Sequence, residues 1–296
     1  LLVIAAATVL GGTLAPLIAD ALKLGTLSVG TPYFNPTFML TMLPLLALLA
    51  VGIHANWKRG RLGEHARSLL LTLVIAAIAG VILVYGVYSN GKVLSPVAAT
   101  LGAWIILSSM VDPIDRLRRR LSFPASLIGM TVAHVGLGIF VLSLTAVESF
   151  TLERDVSLAR GEKTTVGNYE FRWDGIRGIE GPNYEGVEGT VVVTRHGAPT
   201  SVMHPQKRQY WVQRSSVTEA SIEMHHGSNV FVALGEDVGA DKWSLRIQVR
   251  PLVNFIWLGA FIMAVGGAIA ASDRRYRLAR QAAPVGTAGL APESPR

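Results

Sequence analysis

Residues 125–155 read ASLIGMTVAHVGLGIFVLSLTAV and then ESFTLERD. From Ala125 to Val147 there is no Asp, Glu, Lys or Arg, and the run is long enough for a helix to cross a bilayer, which takes about 20 mostly apolar residues. At Glu148 the character changes, and charges then recur every few positions through Asp155. A membrane span therefore delivers the chain into a segment with the composition of a soluble domain. Reading outward, five further apolar blocks appear: Leu1–Ala21, Thr37–Ile53, Ser68–Tyr88 and Val93–Val111 before this one, and Leu252–Ser272 after the soluble stretch. Asp20 suggests that the first block stops early, and Pro44 suggests a kink in the short second block. The whole composition agrees with this division. Of 296 residues half are hydrophobic and only 16% charged, and the mean hydropathy of +0.41 belongs to an integral membrane protein.

The net charge of +7 and pI near 9.9 could suggest a nucleic-acid partner, but the positions of the charges argue for membrane lipid instead. Three basic clusters stand at the ends of apolar blocks: Lys58, Arg59, Arg61 and Arg67; Arg116, Arg118, Arg119 and Arg120; and Arg274, Arg275, Arg277 and Arg280. With six spans all three fall on one side, which the positive-inside rule makes cytoplasmic. The Lys23–Pro36 loop, the Ser89–Lys92 turn and residues 149–250 then lie outside, in a bacterial periplasm. Zero cysteines exclude disulfides, thiol catalysis, iron–sulfur clusters and Cys-ligated zinc on this chain. The chain opens at Leu1 inside an apolar run and without a basic leader, which reads as a cut within a longer coding sequence.

Residues 149–250 read as β. Thr190–Arg195 and Ser244–Arg250 are β-branched or alternating, and Phe231–Leu234 is a short apolar run. Arg160-Gly161, Gly181-Pro182-Asn183, His196-Gly197 and Gly235–Gly239 read as turns. A small barrel or sandwich follows, with Trp173, Trp211 and Trp243 as core or hinge aromatics. The fold class expected is a polytopic α-helical membrane protein of about six transmembrane helices with an inserted all-β periplasmic domain. Its parts are residues 1–148 (five helices), 149–250 (β domain), 251–272 (last helix) and 273–296 (a basic, disordered cytoplasmic tail).

His134 is the most informative residue, because an ionisable group in the middle of a span is costly and points to a functional site. Helical spacing sets Met130 and Gly138 on its face, with Thr131 and Leu137 close by. Small residues there would let a flat macrocycle approach the backbone. Three readings stand side by side: an axial ligand of haem iron, a neutral ring packed by hydrogen bonds, and a station on a proton path. His54 and His65 flank the first basic cluster and read as solvated or interfacial. His196 lies in a turn, His204 precedes Pro205, and adjacent His225 and His226 would face opposite sides of a strand, a poor chelate. No HExxH, P-loop, GxGxxG or Ser-centred hydrolase motif is present. Two external stretches, Ser28–Pro36 and Glu148–Asp155, read as an aromatic belt and a salt-bridged strand start, and either could shape a surface for an exported partner.

The run from Gly129 to Asp155, together with Gly181-Pro182-Asn183-Tyr184, Lys207-Arg208-Gln209-Tyr210, Thr218-Glu219-Ala220, Ala233-Leu234-Gly235-Glu236 and Trp243-Ser244-Leu245-Arg246, resembles the carboxy-terminal half of the CcmF family. So do Pro251 to Tyr276 and the Val29–Asn35 loop. CcmF is the membrane subunit of the haem lyase in system I cytochrome c maturation. The resemblance implies a haem b held between two transmembrane histidines, the second of which matches His134. It implies thioether formation between haem vinyls and the CXXCH thiols of apocytochrome c, with haem brought by the CcmE chaperone and the apocytochrome presented by a CcmH-type subunit. Quinol reduction of the iron through haem b belongs to the same picture. The family's tryptophan-rich motif, its two external histidines and its first transmembrane histidine have no counterpart here, and by the family's layout they lie upstream of Leu1. The second axial ligand is thus expected outside this chain, in the amino-terminal half of the same protein. This chain alone is not expected to complete the site or perform ligation, and no catalytic residue is assigned to it. The rival reading is a haem transporter or membrane scaffold subunit of the maturation complex.

Overall fold

The computed structural model describes residues 1–54, 62–88, 92–212, 215–225, 227–239 and 241–273. Lys58, Arg59, Arg61, His226 and the tail from residue 274 onward, which were read above, lie outside the described residues. Among the described residues six helices are long and apolar enough to cross a membrane: α1 (Leu2–Ala21), α2 (Thr31–Gly52), α3 (Leu62–Val81, continued by a π-helical turn Ile82–Val87), α4 (Ser95–Arg118), α5 (Ala125–Phe150) and α6 (Val253–Ala271). This is a multi-pass membrane protein.

Local chemistry accounts for the ends that differ from the block boundaries. α1 runs through Asp20 instead of stopping before it. α2 begins six residues before the apolar block, because Gly30 is extended and Pro32 occupies the first turn, where a fixed φ and a missing N–H carry no penalty. Most of the Ser28–Pro36 stretch is therefore helix rather than loop, and the Tyr33 hydroxyl donates to the Thr8 carbonyl of α1 at 3.0 Å. The helix also passes through Pro36 and Pro44, as neighbouring helices permit in a membrane. α4 runs past Asp112 and Pro113 to Arg118, so Arg116 and Arg118 sit in its last turn, where cations complement the C-terminal carbonyls.

α4 is the hub of the bundle, packing on α2, α3 and α5, while α5 packs on α6. The α5–α6 contact is made by glycine. A Cβ added at Gly129 would stand 2.3 Å from the Ala270 nitrogen, at Gly266 2.3 Å from the Ala133 nitrogen, and at Gly136 2.7 Å from the Met263 nitrogen. Lipid tails are as apolar as leucine side chains, so close backbone approach rather than burial drives this association. Asp273, just past α6, accepts the Ser126 N–H at 2.9 Å and so caps the first turn of α5. At the other end Lys92 pairs with Glu148, and the Ser95 and Ser149 hydroxyls meet at 2.6 Å.

Among the described residues ten strands stand between α5 and α6 in sequence: β1 (Leu152–Ala159), β2 (Lys163–Val166), β3 (Tyr169–Glu180), β4 (Tyr184–Arg195), β5 (Ala198–Met203), β6 (Gln206–Tyr210), β7 (Ser216–Glu219), β8 (Ser221–His225), β9 (Ser228–Gly239) and β10 (Lys242–Pro251). They form two antiparallel sheets, β1-β10-β9-β8 and β2-β3-β4-β6-β7, with β5 sharing the edge of β4 with β6. This is the sandwich of the two expected alternatives. Its core follows the two-residue period, with Tyr169, Phe171 and Trp173 of β3 facing Val230, Val232 and Leu234 of β9 and Leu245, Ile247 and Val249 of β10. Trp243 packs on the rim of this core, whereas Trp211, read as core, is half exposed beyond the end of β6. Gly235–Gly239, read as a turn, is strand. Gly235 lets Ser244 come close, since a Cβ there would meet the Ser244 Oγ at 2.1 Å, and the reversal falls at the left-handed Asp241 instead.

One buried carboxylate fixes the place where β5 hands over to β6. Glu188 of β4 is 6% exposed and takes hydrogen bonds from Arg177 Nε at 2.9 Å and Gln206 Nε2 at 2.6 Å, with His204 at 3.5 Å. Burial pushes this carboxyl up, but the Gln206 and Arg177 bonds outweigh it and hold it below its ordinary 4.5. A carboxylate whose folded value is depressed stabilises the fold above its unfolded value, and that contribution is lost as the pH falls toward the folded one. Glu188→Ala should therefore cost about 1–3 kcal/mol at neutral pH by taking the acceptor from the partly buried Gln206, Arg177 being open to water. Melts of wild type and variant should converge as the pH drops below the ordinary glutamate range, and a constant gap across that range would contradict the assignment.

Candidate functional site

His134 is the tenth residue of α5, which places it roughly 14 Å along the helix from Ala125, near the middle of a hydrocarbon core about 30 Å thick. The ring is half-buried. Its Nδ1 lies 2.7 Å from the Met130 carbonyl one turn back. A carbonyl can only accept, so Nδ1 carries the hydrogen and the neutral ring presents a lone pair at Nε2. Nε2 has no hydrogen-bond partner among the described residues. That is the state in which an imidazole binds a metal, with a backbone carbonyl fixing ring and tautomer.

The glycines around it have other tasks. Gly129 and Gly136 face α6, and Gly138, expected to open a face for a macrocycle, is covered by α4: a Cβ there would meet Ile106 Cγ1 at 2.3 Å and the Gly102 carbonyl at 2.7 Å. By helical geometry His134 points roughly 150° away from the α6-facing glycines and roughly 40° from Gly138. Close packing of α4, α5 and α6 thus fixes the backbone around His134, with its ring turned away from α6 and toward the side of α5 that carries Gly138.

The other described histidines do not gather at His134. His54, read as solvated or interfacial, is instead buried just beyond α2, stacked on His65 with ring centroids 5.1 Å apart and 3.5 Å from Asp112. His196 occupies a left-handed turn position, and His204 leans toward Glu188. His225 bridges the Ser201 hydroxyl at 3.2 Å and Glu223 at 3.1 Å. The Glu148–Asp155 stretch splits between the end of α5 and β1, where Asp155 takes two hydrogen bonds from Arg246 of β10. This pair borders a groove of about 710 Å³ lined also by Phe231, Gln248, Arg250 and Thr218. The Asp155 carboxyl is held below its ordinary value chiefly by the Arg246 hydrogen bond.

Among the described residues, six helices of membrane-spanning length, with a ten-stranded sandwich inserted before the last of them, define a class of polytopic membrane proteins with an extramembrane β domain. Comparison narrows the class. A family profile described as the CcmF C-terminal beta-sandwich matches residues 149–251. The cytochrome c-type biogenesis protein CcmF of Pseudomonas fluorescens is 39% identical over 287 residues, covering 94% of this chain and 43% of the relative. CycK of Rhizobium meliloti is 38% identical over 289 residues, and CcmF of Escherichia coli (strain K12) 32% over 277, each covering 94% of this chain and 43% of the relative. A solved structure titled Cytochrome c Heme Lyase CcmF has the same fold, with a TM-score of 0.70 at 22% identity over 90% of this chain and 43% of that one. The chain belongs to the CcmF family of cytochrome c biogenesis proteins and matches its carboxy-terminal region. It spans less than half the length of these relatives.

Proposed function

We propose that this chain is the haem-holding carboxy-terminal part of a haem lyase for cytochrome c maturation. Its His134 Nε2 would be one axial ligand of a haem b within a bacterial inner membrane. The observation that carries this reading is the Nδ1–Met130 hydrogen bond, which leaves the lone pair of a mid-membrane histidine free at Nε2. The donor set, one imidazole nitrogen in an apolar span, fits a single protein ligand to haem iron, and the second histidine would come from the amino-terminal half. Bound there, haem b would supply one-electron chemistry, with quinol as the reductant, to keep the iron of the transferred haem reduced. The chain's own residues do the positioning: Met130 orients the ring, the α5–α6 glycines keep the backbone of α5 in place, and the span excludes water from the ligand. The acceptor thiols belong to the CXXCH of apocytochrome c, which explains why no nucleophile is needed here. Haem would come from a CcmE-type chaperone and the apocytochrome from a CcmH-type subunit.

The sandwich would stand on the periplasmic face, with residues 1–148 and 251–272 in the membrane and 273–296 in the cytoplasm. The arrangement of ends supports it. Arg116, Arg118, Arg119 and Arg120 share one end of the bundle with Asp273, which is bound to Ser126, while the sandwich leaves from the other. Phosphatase fusions near Gly197 should be active, and those near Arg118 or after Arg280 inactive; activity at Arg118 would overturn the topology. For the ligand, spectroscopy of the coexpressed halves is the direct test, with a bis-histidine low-spin haem b expected.

A further inference from the structure

A second cluster of histidines lies near the sandwich-distal end of the bundle, away from His134. His54 follows α2, His65 stands in the first turns of α3, and Asp112 is on α4, and one ligand atom from each lies within 4.8 Å of the others. His54 is wholly buried and Asp112 is 30% exposed. The hydrogen bonds fix the His54 tautomer. The Ser108 hydroxyl donates to the Ala50 carbonyl at 2.5 Å, so toward His54 both its Oγ and its carbonyl can only accept. Nε2 stands 3.1 Å from each and therefore carries the hydrogen. His54 Nδ1 is left buried and without a hydrogen-bond partner. It faces the Asp112 carboxylate at 3.5 Å, beyond ordinary hydrogen-bond length. A buried ring nitrogen that close to a carboxylate calls for a cation between them, a proton or a metal ion.

We propose that His54 Nδ1, a ring nitrogen of His65 and a carboxylate oxygen of Asp112 form a binding site for a divalent transition-metal ion of the zinc type. Two imidazoles and one carboxylate are a borderline nitrogen–oxygen set suited to that ion, and three protein ligands leave the fourth position to water. Tetrahedral donors about 2.0–2.1 Å from zinc stand roughly 3.3 Å apart, so the 3.5 Å between Nδ1 and the Asp112 oxygen needs little adjustment. Ser108 acts as the outer partner, holding the far side of the His54 ring as metal-bound histidines require. Asp112 is one helical turn beyond Ser108, so a single face of α4 supplies both. The ion would tie the end of α2 and the start of α3 to α4, and it does not depend on the haem assignment of His134.

The test uses the full chain in detergent, stripped with chelator and then equilibrated with Zn²⁺ or Co²⁺ alone. One equivalent of Zn²⁺ per chain is expected by elemental analysis, and bound Co²⁺ should show the visible absorption of a four-coordinate ion. His65→Ala and Asp112→Asn should each weaken binding by more than the roughly 10–100-fold that loss of an outer-shell partner costs. His196→Ala and His204→Ala should bind as wild type. If either ligand variant elutes as an aggregate, the other decides. Failure of the wild type to hold a stoichiometric ion, or undiminished binding in His65→Ala or Asp112→Asn, would overturn the site.

Discussion

Replacing His134 by alanine is expected to strip the low-spin haem b from the coexpressed halves and to drop cytochrome c assembly to background, while the protein stays in the membrane. The effect is large because one bond is replaced by nothing. A methyl group cannot ligate iron. The packing cost should be small, because the ring makes a single internal hydrogen bond and faces away from the α5–α6 contact. His134→Gly should lose the haem as well but regain it when imidazole is supplied, since a cavity of the right shape then admits the missing ligand. That rescue separates ligation from folding. His196→Ala, in an exposed turn of the sandwich, should leave the spectrum unchanged. An unaltered low-spin spectrum in His134→Ala would return the residue to a packing role.

The second large effect concerns the sandwich. Residues 149–251 enclose a core of their own, so the segment expressed alone should give a β-type circular dichroism spectrum and a cooperative melt. Trp173 is its largest fully buried side chain, at 1% exposure. It sits against Gly189 of the neighbouring strand, where an added Cβ would come within 2.6 Å of the indole. Trp173→Ala removes that volume from a core closed by two sheets that cannot collapse inward, and costs of about 3–5 kcal/mol are usual for such truncations. For a domain of this size each kcal/mol moves the melting point by roughly 4–8 °C, so Tm should fall on the order of 15–30 °C. A shift of a few degrees would mean that the indole is not a structural anchor. Gly189→Val should be damaging for the opposite reason, by forcing the ring out of its place.

Much of this molecule was legible along the chain because its signals are local. Hydrocarbon tolerates few charges, so membrane helices show themselves as uninterrupted apolar runs, and a half-buried strand shows itself by alternation, as in Val191 and Val193 of β4 facing the core. His134 stands out because a single ionisable residue in such a run is conspicuous. Helix ends were read less well. Gly30 and Pro32 start α2 inside a stretch that resembles a loop, and Gly235 looks like a turn although it serves a close strand contact with Ser244. Glycine marks either a bend or a close approach, and only the partner tells which.

What the tertiary structure alone decided is what depends on groups distant in sequence. The choice of sandwich over barrel rests on which strands pair, and the sharing of one edge of β4 between β5 and β6 has no local signature. The reassignment of Gly138 from an open face to an α4 contact required Gly102 and Ile106. The meeting of His54, His65 and Asp112 follows no metal-binding spacing; its one trace was an acid at the end of an apolar block, one turn from Ser108. The sequence by itself determined the number of spans, the β character of the insert and the exceptional place of His134, because burial and solvation act residue by residue. The tautomer at His134, the burial of His54 and the contact of α5 with α6 were settled only on folding, because each is a distance between atoms that the chain order leaves free.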